Sequence, residues 1–309
     1  MNVLMTGSSG QIGTNLALAL LDRGDRVLGI DNRDNTWTRR METMRLDLVR
    51  AAPADLPHDR CFDVVVHLAA NAKVFALVEN PQGAMDNITM LFRVLEYCRQ
   101  RRLPLVFSSS REVYGDIHRH VTHEAAADFV VAESPYSASK IAGEALVYSY
   151  AQCYNLPFLV FRYSNVYGRY DNDLARMERV IPLFVDRIAR GEPIVVYGKE
   201  KVLDFTYVDD CVAGTVAGID ALVQGRVVCQ TINLAHGQGN SLVDVVNIIA
   251  LALGKKPSVT CEPSRSGEVT RYVADIGKAR ALLGYEPQIP LTDGLVKAIE
   301  WSRTFRPRP

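Results

Sequence analysis

Short apolar runs bounded by polar turns punctuate the first half of the chain. NVLMT (2–6), RVLGI (26–30), DVVVHLA (63–69), LPLVFSS (103–109) and PFLVFR (157–162) show little alternation, the pattern of strands buried on both faces. Between them, 11–22, 83–101 and 137–153 place apolar residues at helical spacing. In the second of these segments Met90, Leu91, Val94, Leu95 and Cys98 form one stripe. Strands alternating with helices predict right-handed βαβ units and a parallel, doubly wound sheet. After about 165 the rhythm loosens. Helices are expected at 178–190 (ending at Gly191), 209–222, 241–253, 275–283 and 291–304, with strands at 193–198, 203–208 and 231–235. The pattern divides the chain into a domain over 1–165, to which the segment 203–235 returns, and a smaller α/β C-terminal lobe over 166–309.

Composition narrows the function classes. Lys and Arg total 35, as do Asp and Glu, so the formal charge is zero and no basic face for nucleic acid or anionic membrane is advertised. The six cysteines lie far apart without a C-x-x-C pair, which favours thiols in a reducing compartment over disulfides or a zinc site. No apolar run approaches the ~20 residues of a membrane span, and the first residues read as a strand rather than a signal peptide. A cytoplasmic protein is expected.

The turn after the first strand reads TGSSGQIG. Gly7, Gly10 and Gly13 there would let the backbone turn tightly and approach a pyrophosphate at a helix N-terminus, with Gln11 and Ile12 in the same first turn. A glycine triplet alone is weak, but Asp31 ends the second strand 18 residues after Gly13, where an acid can bond a ribose 2′-hydroxyl. That acid, with Asn32 beside it, favours NAD over NADP; Arg33 is the counter-argument. Asp47 and Leu48 follow a third short strand near the expected adenine, and HLAA (67–70) brings Leu68, Ala69 and Ala70 to the end of the fourth. His67 is expected to be a satisfied core histidine. Tyr163 and Tyr167 are candidates to line the cofactor.

Three serines, Ser108, Ser109 and Ser110, end a central strand at the edge where open α/β sheets bind ligands. PYSASK then supplies Tyr136 and Lys140 at i, i+4, on one face of a helix. An ammonium favours a phenolate, so Tyr136 could take a proton from a sugar hydroxyl that Ser110 also holds. Retention of this pair and of the glycines argues against a non-enzymatic redox sensor.

On these residues the chain resembles the extended short-chain dehydrogenase/reductases acting on nucleotide sugars, NAD-dependent epimerases and dehydratases akin to UDP-glucose 4-epimerase. The resemblance also runs through NPQGAMDN (80–87), SSSREVYGD (108–116), SPYSASKIAGE, RYSNVYG (162–168) and DFTYVDD (204–210). It implies a Rossmann-type fold, a bound NAD and a nucleoside-diphosphate sugar, a UDP-sugar foremost. It makes Ser110, Tyr136 and Lys140 the catalytic triad, with Asn87 supporting the site. Ser109, Asn165, Val180, Val195, Tyr197 and Arg265 would be substrate contacts: Asn165 and Arg265 at the diphosphate, Val195 and Tyr197 beside the base. It also implies a homodimer through the helices at 83–101 and 137–153.

Two departures stand out. The family's arginine before DFTYVDD is Leu203 here, with Lys199, Lys201 and Arg271 as possible substitutes. Family dehydratases carry Asp then Glu after the catalytic serine, and decarboxylases keep the Glu; this chain has Arg111 then Glu112. Glu112 is expected to face the site as a fourth catalytic candidate, or else to pair with Arg111 or Lys73 and order the turn. Without the aspartate, 4-epimerisation through a transient 4-ketone is the favoured reaction. A dehydratase or glucuronate decarboxylase using Glu112 is the alternative. The histidines of HRHVTH, His118, His120 and His123, read as a solvated loop; no metal is expected.

Overall fold

The computed structural model describes residues 1–115, 124, 132–174 and 179–304. His118, His120 and His123, with the expected helix start at 178, lie outside them. The chain runs β1 (Asn2–Thr6), α1 (Gln11–Asp22), β2 (Arg26–Asp31), β3 (Glu42–Arg45), β4 (Val64–His67), α2 (Val74–Glu79), α3 (Gln82–Arg101), β5 (Leu105–Ser110), α4 (Pro135–Tyr154) and β6 (Phe158–Tyr163). It then leaves the main sheet for β7 (Asn165–Tyr167), α5 (Val180–Arg190), β8 (Ile194–Tyr197) and β9 (Val202–Tyr207). It comes back through α6 (Val208–Val223) and β10 (Gln230–Leu234). The remainder is β11 (Gly239–Ser241), α7 (Leu242–Leu253), β12 (Val259–Glu262), β13 (Arg271–Tyr272), α8 (Gly277–Leu283) and α9 (Leu291–Thr304).

The main sheet has the order β10-β6-β5-β4-β1-β2-β3, every pairing parallel. Successive residues of β1 feed opposite layers. Val3 and Met5 pack with Leu16 and Leu20 of α1 and Ile219 of α6, whereas Leu4 packs with Leu91, Val94 and Leu95 of α3 and Val147 of α4. Helices on both faces explain why the strands are apolar without alternation. The strand order reverses between β1 and β4, so their C-terminal ends open a crevice, the usual ligand position in such sheets.

A second sheet, β11-β9-β13 with β7 also on β9, stands across that crevice, β7 and Phe205 of β9 lining it, and β8 and β12 form a separate parallel pair. Of the segment expected to return to the first domain, α6 and β10 join the main layers, while β9 belongs to the second sheet. The strand predicted over 63–69 stops at His67. Leu68 and Ala69 instead form the loop on which the glycine turn rests.

Candidate active site

The crevice is a cleft of about 1080 Å³. Its cofactor end is made by backbone. Gly7 has φ +70, and a Cβ there would sit 2.5 Å from the Ala69 nitrogen and 2.7 Å from the Leu68 carbonyl carbon. A Cβ on Gly13 would strike the Gly7 carbonyl oxygen. The turn is therefore wound as tightly as peptide groups allow, leaving room for a ligand against the start of α1. That helix has no side-chain cap and no acid in its first turn, so its orphan N–H groups and positive dipole end suit an anion.

Asp31 accepts the Ser9 N–H at 2.9 Å and the Arg33 N–H at 3.3 Å. Arg33, also on the cleft wall, turns its guanidinium back onto the Ser9 carbonyl. Gly7, Gly10, Gln11, Ile12, Gly13, Asp31, Asn32, Asp47, Leu48, Leu68, Ala69, Ala70 and Tyr163 all line the cleft. The cradle and the acid fit a dinucleotide with a free ribose hydroxyl. His67 lies behind them, 2 % exposed, its Nδ1 2.7 Å from Thr6 Oγ1 and its ring stacked on Phe107. Burial pulls its pKa down to about 3.

At the other end Ser110, Tyr136 and Lys140 share one wall. Ser110 Oγ caps the turn after β5, accepting the Glu112 N–H at 3.2 Å. Ser134 caps α4 and Pro135 opens it, which aims Tyr136 from the first turn into the cleft. Lys140, one turn on, donates to the Ser108 carbonyl at 2.7 Å with its ammonium 5.7 Å from the Tyr136 ring centre. Burial pushes the Tyr136 phenol up to about 12, opposed by its interaction with Ser110, and pulls Lys140 down to about 8. Lys140 thus stays cationic at neutral pH, beside a phenol that needs positive charge nearby before it can ionise.

Glu112 both faces the cleft and pairs with Arg111, Oε1 to Nη2 at 2.9 Å. Burial raises its pKa, and the Arg111 guanidinium opposes that shift. Arg111 Nε also donates to Asn165 Oδ1 at 3.2 Å, while Asn165 Nδ2 donates to the Asp204 carbonyl at 3.0 Å.

The other expected substrate contacts are distributed unevenly. Ser109, Asn165, Val180 and Arg265 line the cleft, but the Ser109 hydroxyl points to Glu144. Asn87 does not line it: its amide brackets the Asn71 backbone, accepting from N at 2.7 Å and donating to O at 3.2 Å. Val195 and Tyr197 also lie off the cleft, on the half-exposed face of β8. Tyr197 reaches the cleft through Arg265, whose guanidinium stacks 4.0 Å from the Tyr197 ring centre and 5.5 Å from that of Phe75. Leu203 is buried in β9. Of its possible substitutes, Lys201 is committed to Glu268 at 2.6 Å, and neither Lys199 nor Arg271 lines the cleft.

Three groups escaped the sequence reading. Arg179 lines the cleft and meets Asp171 at 3.2 Å. Glu144 and Arg162 form a buried pair behind Ser109. Asp204, fully buried, accepts the N–H groups of His236, Gly237 and Ala274, and burial lifts its pKa to about 6. Glu144 and Asp204 sit inside quoted motifs, SPYSASKIAGE and DFTYVDD, whose spacing gave no sign of a charge in the core. Among the described residues no group of three metal-ligating side chains occurs, and no helix is long and apolar enough to cross a membrane.

Comparison with known proteins agrees with this geometry. Residues 3–235 match the model of the NAD dependent epimerase/dehydratase family. A UDP-glucuronate 4-epimerase of Thermodesulfobacterium geofontis is 30% identical over 97% of this chain and 95% of its own. An uncharacterized UDP-glucose epimerase of Bacillus subtilis is 30% identical over 97% and 98%. Among solved structures, the Thermotoga maritima UDP-glucose 4-epimerase with UDP-glucose superposes with TM-score 0.88 at 28% identity, covering 98% of this chain and 99% of that one. The Bacillus cereus UDP-glucuronic acid 4-epimerase with UDP-glucuronic acid and NAD gives the same TM-score, identity and coverage. A glycine cradle with its acid, a serine-ended strand and a Tyr–Lys helix, matched over most of the length, leave one conclusion: the chain belongs to the NAD-dependent epimerase/dehydratase family.

Proposed function

We propose that this protein is an NAD-dependent nucleoside-diphosphate-sugar 4-epimerase acting on a UDP-hexose. The observation that carries the reading is the convergence of Ser110, Tyr136 and Lys140 on one wall of the cleft whose other end is the Gly7–Gly13 cradle. The relatives named as UDP-glucose and UDP-glucuronate 4-epimerases support it.

NAD, held by the cradle and Asp31, would supply a reversible two-electron acceptor beside C4. Tyr136 takes the proton of the C4 hydroxyl, with Lys140 favouring the phenolate. Ser110 holds the same oxygen. Tyr136 keeps the proton while the 4-keto sugar turns over, then returns it to the oxygen with C4 inverted. Arg179, Arg265 and Asn165 are the cleft-lining groups for the diphosphate.

Incubation with UDP-glucose, UDP-galactose and their uronates, followed by mass analysis and chromatography, tests the reading. Epimerisation changes retention and leaves mass unchanged; loss of water or carbon dioxide assigns the lyase chemistry instead. We further propose a homodimer through α3 and α4, which expose Met85 and Phe92 two turns apart on one face and Tyr148 on the neighbouring helix. Sedimentation at the monomer mass would refute it. Unpaired cysteines fit a cytoplasmic setting.

A further inference from the structure

Arg111 and Glu112 leave an unfinished account at the sugar end of the cleft. They are 9% and 5% exposed and both line it. One guanidinium nitrogen of Arg111 meets Glu112 Oε1, the Nε meets Asn165, and the guanidinium lies 5.8 Å from the Tyr272 ring centre. The remaining polar atoms, Arg111 Nη1 and Glu112 Oε2, are buried without a hydrogen-bond partner. A buried donor and a buried acceptor left unmet are costly, and such pairs persist where a ligand completes them.

We propose that Glu112 Oε2 and Arg111 Nη1 form a donor–acceptor pair that reads a hydroxyl of the sugar and selects a neutral hexose over a uronate. The inference rests on the 4-epimerase reading, which sets C4 against Ser110 and Tyr136. The Glu112 carboxylate lines the cleft and its charge acts on the Tyr136 phenol, which itself hydrogen-bonds Ser110, so it lies near the group those two hold. The groups flanking C4 are the C3 hydroxyl and the substituent of C5. Because the 4-ketone must present both faces, each flank meets the pair in one of the two orientations. A hydroxyl donates to Oε2 and accepts from Nη1, satisfying both atoms. A carboxylate at C6 only accepts, and it would bring a second negative charge against Glu112 in a water-poor site.

The charges acting on Glu112 are two cations, Arg111 and Lys201, set against two acids, Glu268 and Glu133. Arg111 is matched by Glu112, and the next pair, Lys201 with Glu268 at 2.6 Å, is also balanced, with Glu268 on the cleft wall.

The test measures the affinity of the NAD-loaded protein by titration calorimetry for UDP-glucose, UDP-galactose, UDP-glucuronate and UDP-galacturonate. Using both C4 epimers of each kind samples both ring orientations. At least one uronate is expected to bind tenfold or more weakly than the hexose of the same C4 configuration. Glu112→Gln should narrow that gap at least threefold. The double substitution Arg111→Ser, Glu112→Ser should narrow it too, and covers the case in which the single change, stranding Arg111, fails to fold. Equal affinities for hexoses and uronates in the wild type, or a gap that either folded variant leaves unchanged, overturn the proposal. The 4-epimerase reading is judged apart, by interconversion of UDP-glucose and UDP-galactose: an affinity gap without interconversion sinks that reading and upholds the recognition pair. Absence of binding by all four sugars overturns both.

Discussion

Glu144 of α4 receives two nitrogens of Arg162 of β6, Nε at 2.9 Å and Nη2 at 2.7 Å, with both side chains buried. The same carboxylate accepts the Ser109 hydroxyl at 2.5 Å. One side chain therefore clamps the helix bearing Tyr136 and Lys140 to the strand bearing Ser110. Glu144→Gln would strand the guanidinium, at a cost of ~3–5 kcal/mol. The variant should unfold at lower denaturant and, while folded, lose kcat with little change in KM, because the clamp aligns reacting groups without touching substrate. Full kcat in a folded variant would show that the alignment has another source.

Acid should destabilise the fold through His67. Its pKa falls from 6.5 unfolded to about 3 in the folded chain, because burial disfavours the imidazolium. Between those values the unfolded state binds a proton that the folded state refuses. The stability is thus complete above pH 6.5 and is lost as pH drops toward 3, by at most ~1.4 kcal/mol per unit from this group. Urea titrations at pH 7, 6 and 5 should show a shallower loss for His67→Gln than for the wild type; parallel curves would remove His67 from the acid response.

Turnover should rise with pH on its acid limb. The phenol of Tyr136 is pushed to about 12 by burial, opposed by Ser110, Arg179 and Arg111, so its ionisation is expected to draw also on the Lys140 ammonium 5.7 Å from its ring centre and on a bound cofactor's charge. A single proton loss gives a limb climbing about tenfold per pH unit, and Tyr136→Phe should lower kcat by ~10²–10⁴-fold. Lys140→Met should move the limb to higher pH. A limb that stays in place in that variant would mean Lys140 acts on binding alone.

Gly7 combines a left-handed backbone with backbone atoms inside contact distance of any Cβ. With φ +70 and a Cβ destined for 2.5 Å from Ala69 N, Gly7→Ala must displace the loop that closes the cradle. NAD affinity should drop at least tenfold in calorimetry, while a control at Gly24, where φ is +95 but nothing lies within 4 Å of a Cβ, should lose stability and keep affinity. Equal affinity loss at both sites would point to general unfolding.

The parts legible in the sequence are those that local pattern governs. The stripe Met90–Cys98 became α3, and the unbroken apolar runs became β1, β2, β4, β5 and β6, because burial on both faces leaves no other composition. Ser110, Tyr136 and Lys140 meet because two short motifs sit at element ends that the topology brings together. The illegible parts depend on distant partners. β12 is exposed at every residue and is a strand only through its pairing with β8. Arg162 reads as an interruption of an apolar run until Glu144, 18 residues earlier, is seen across from it. Tyr197 lies off the cleft wall and meets it through Arg265, which stacks on it from a loop 68 residues later.

Among the described residues β10 pairs only with β6 in the main sheet, and it is made after β7, α5 and β9. A chain halted before Gln230 would therefore expose the edge of β6, the strand of Arg162 and Tyr163, as a template for unwanted pairing. The cofactor layer cannot be completed until β7, α5 and β9 on the opposite side have been synthesised. Growth of the chain and assembly of the cleft are thereby coupled: β7, α5 and β9 have emerged before the last edge is sealed, and Arg265 and Glu268 join the cleft only afterwards.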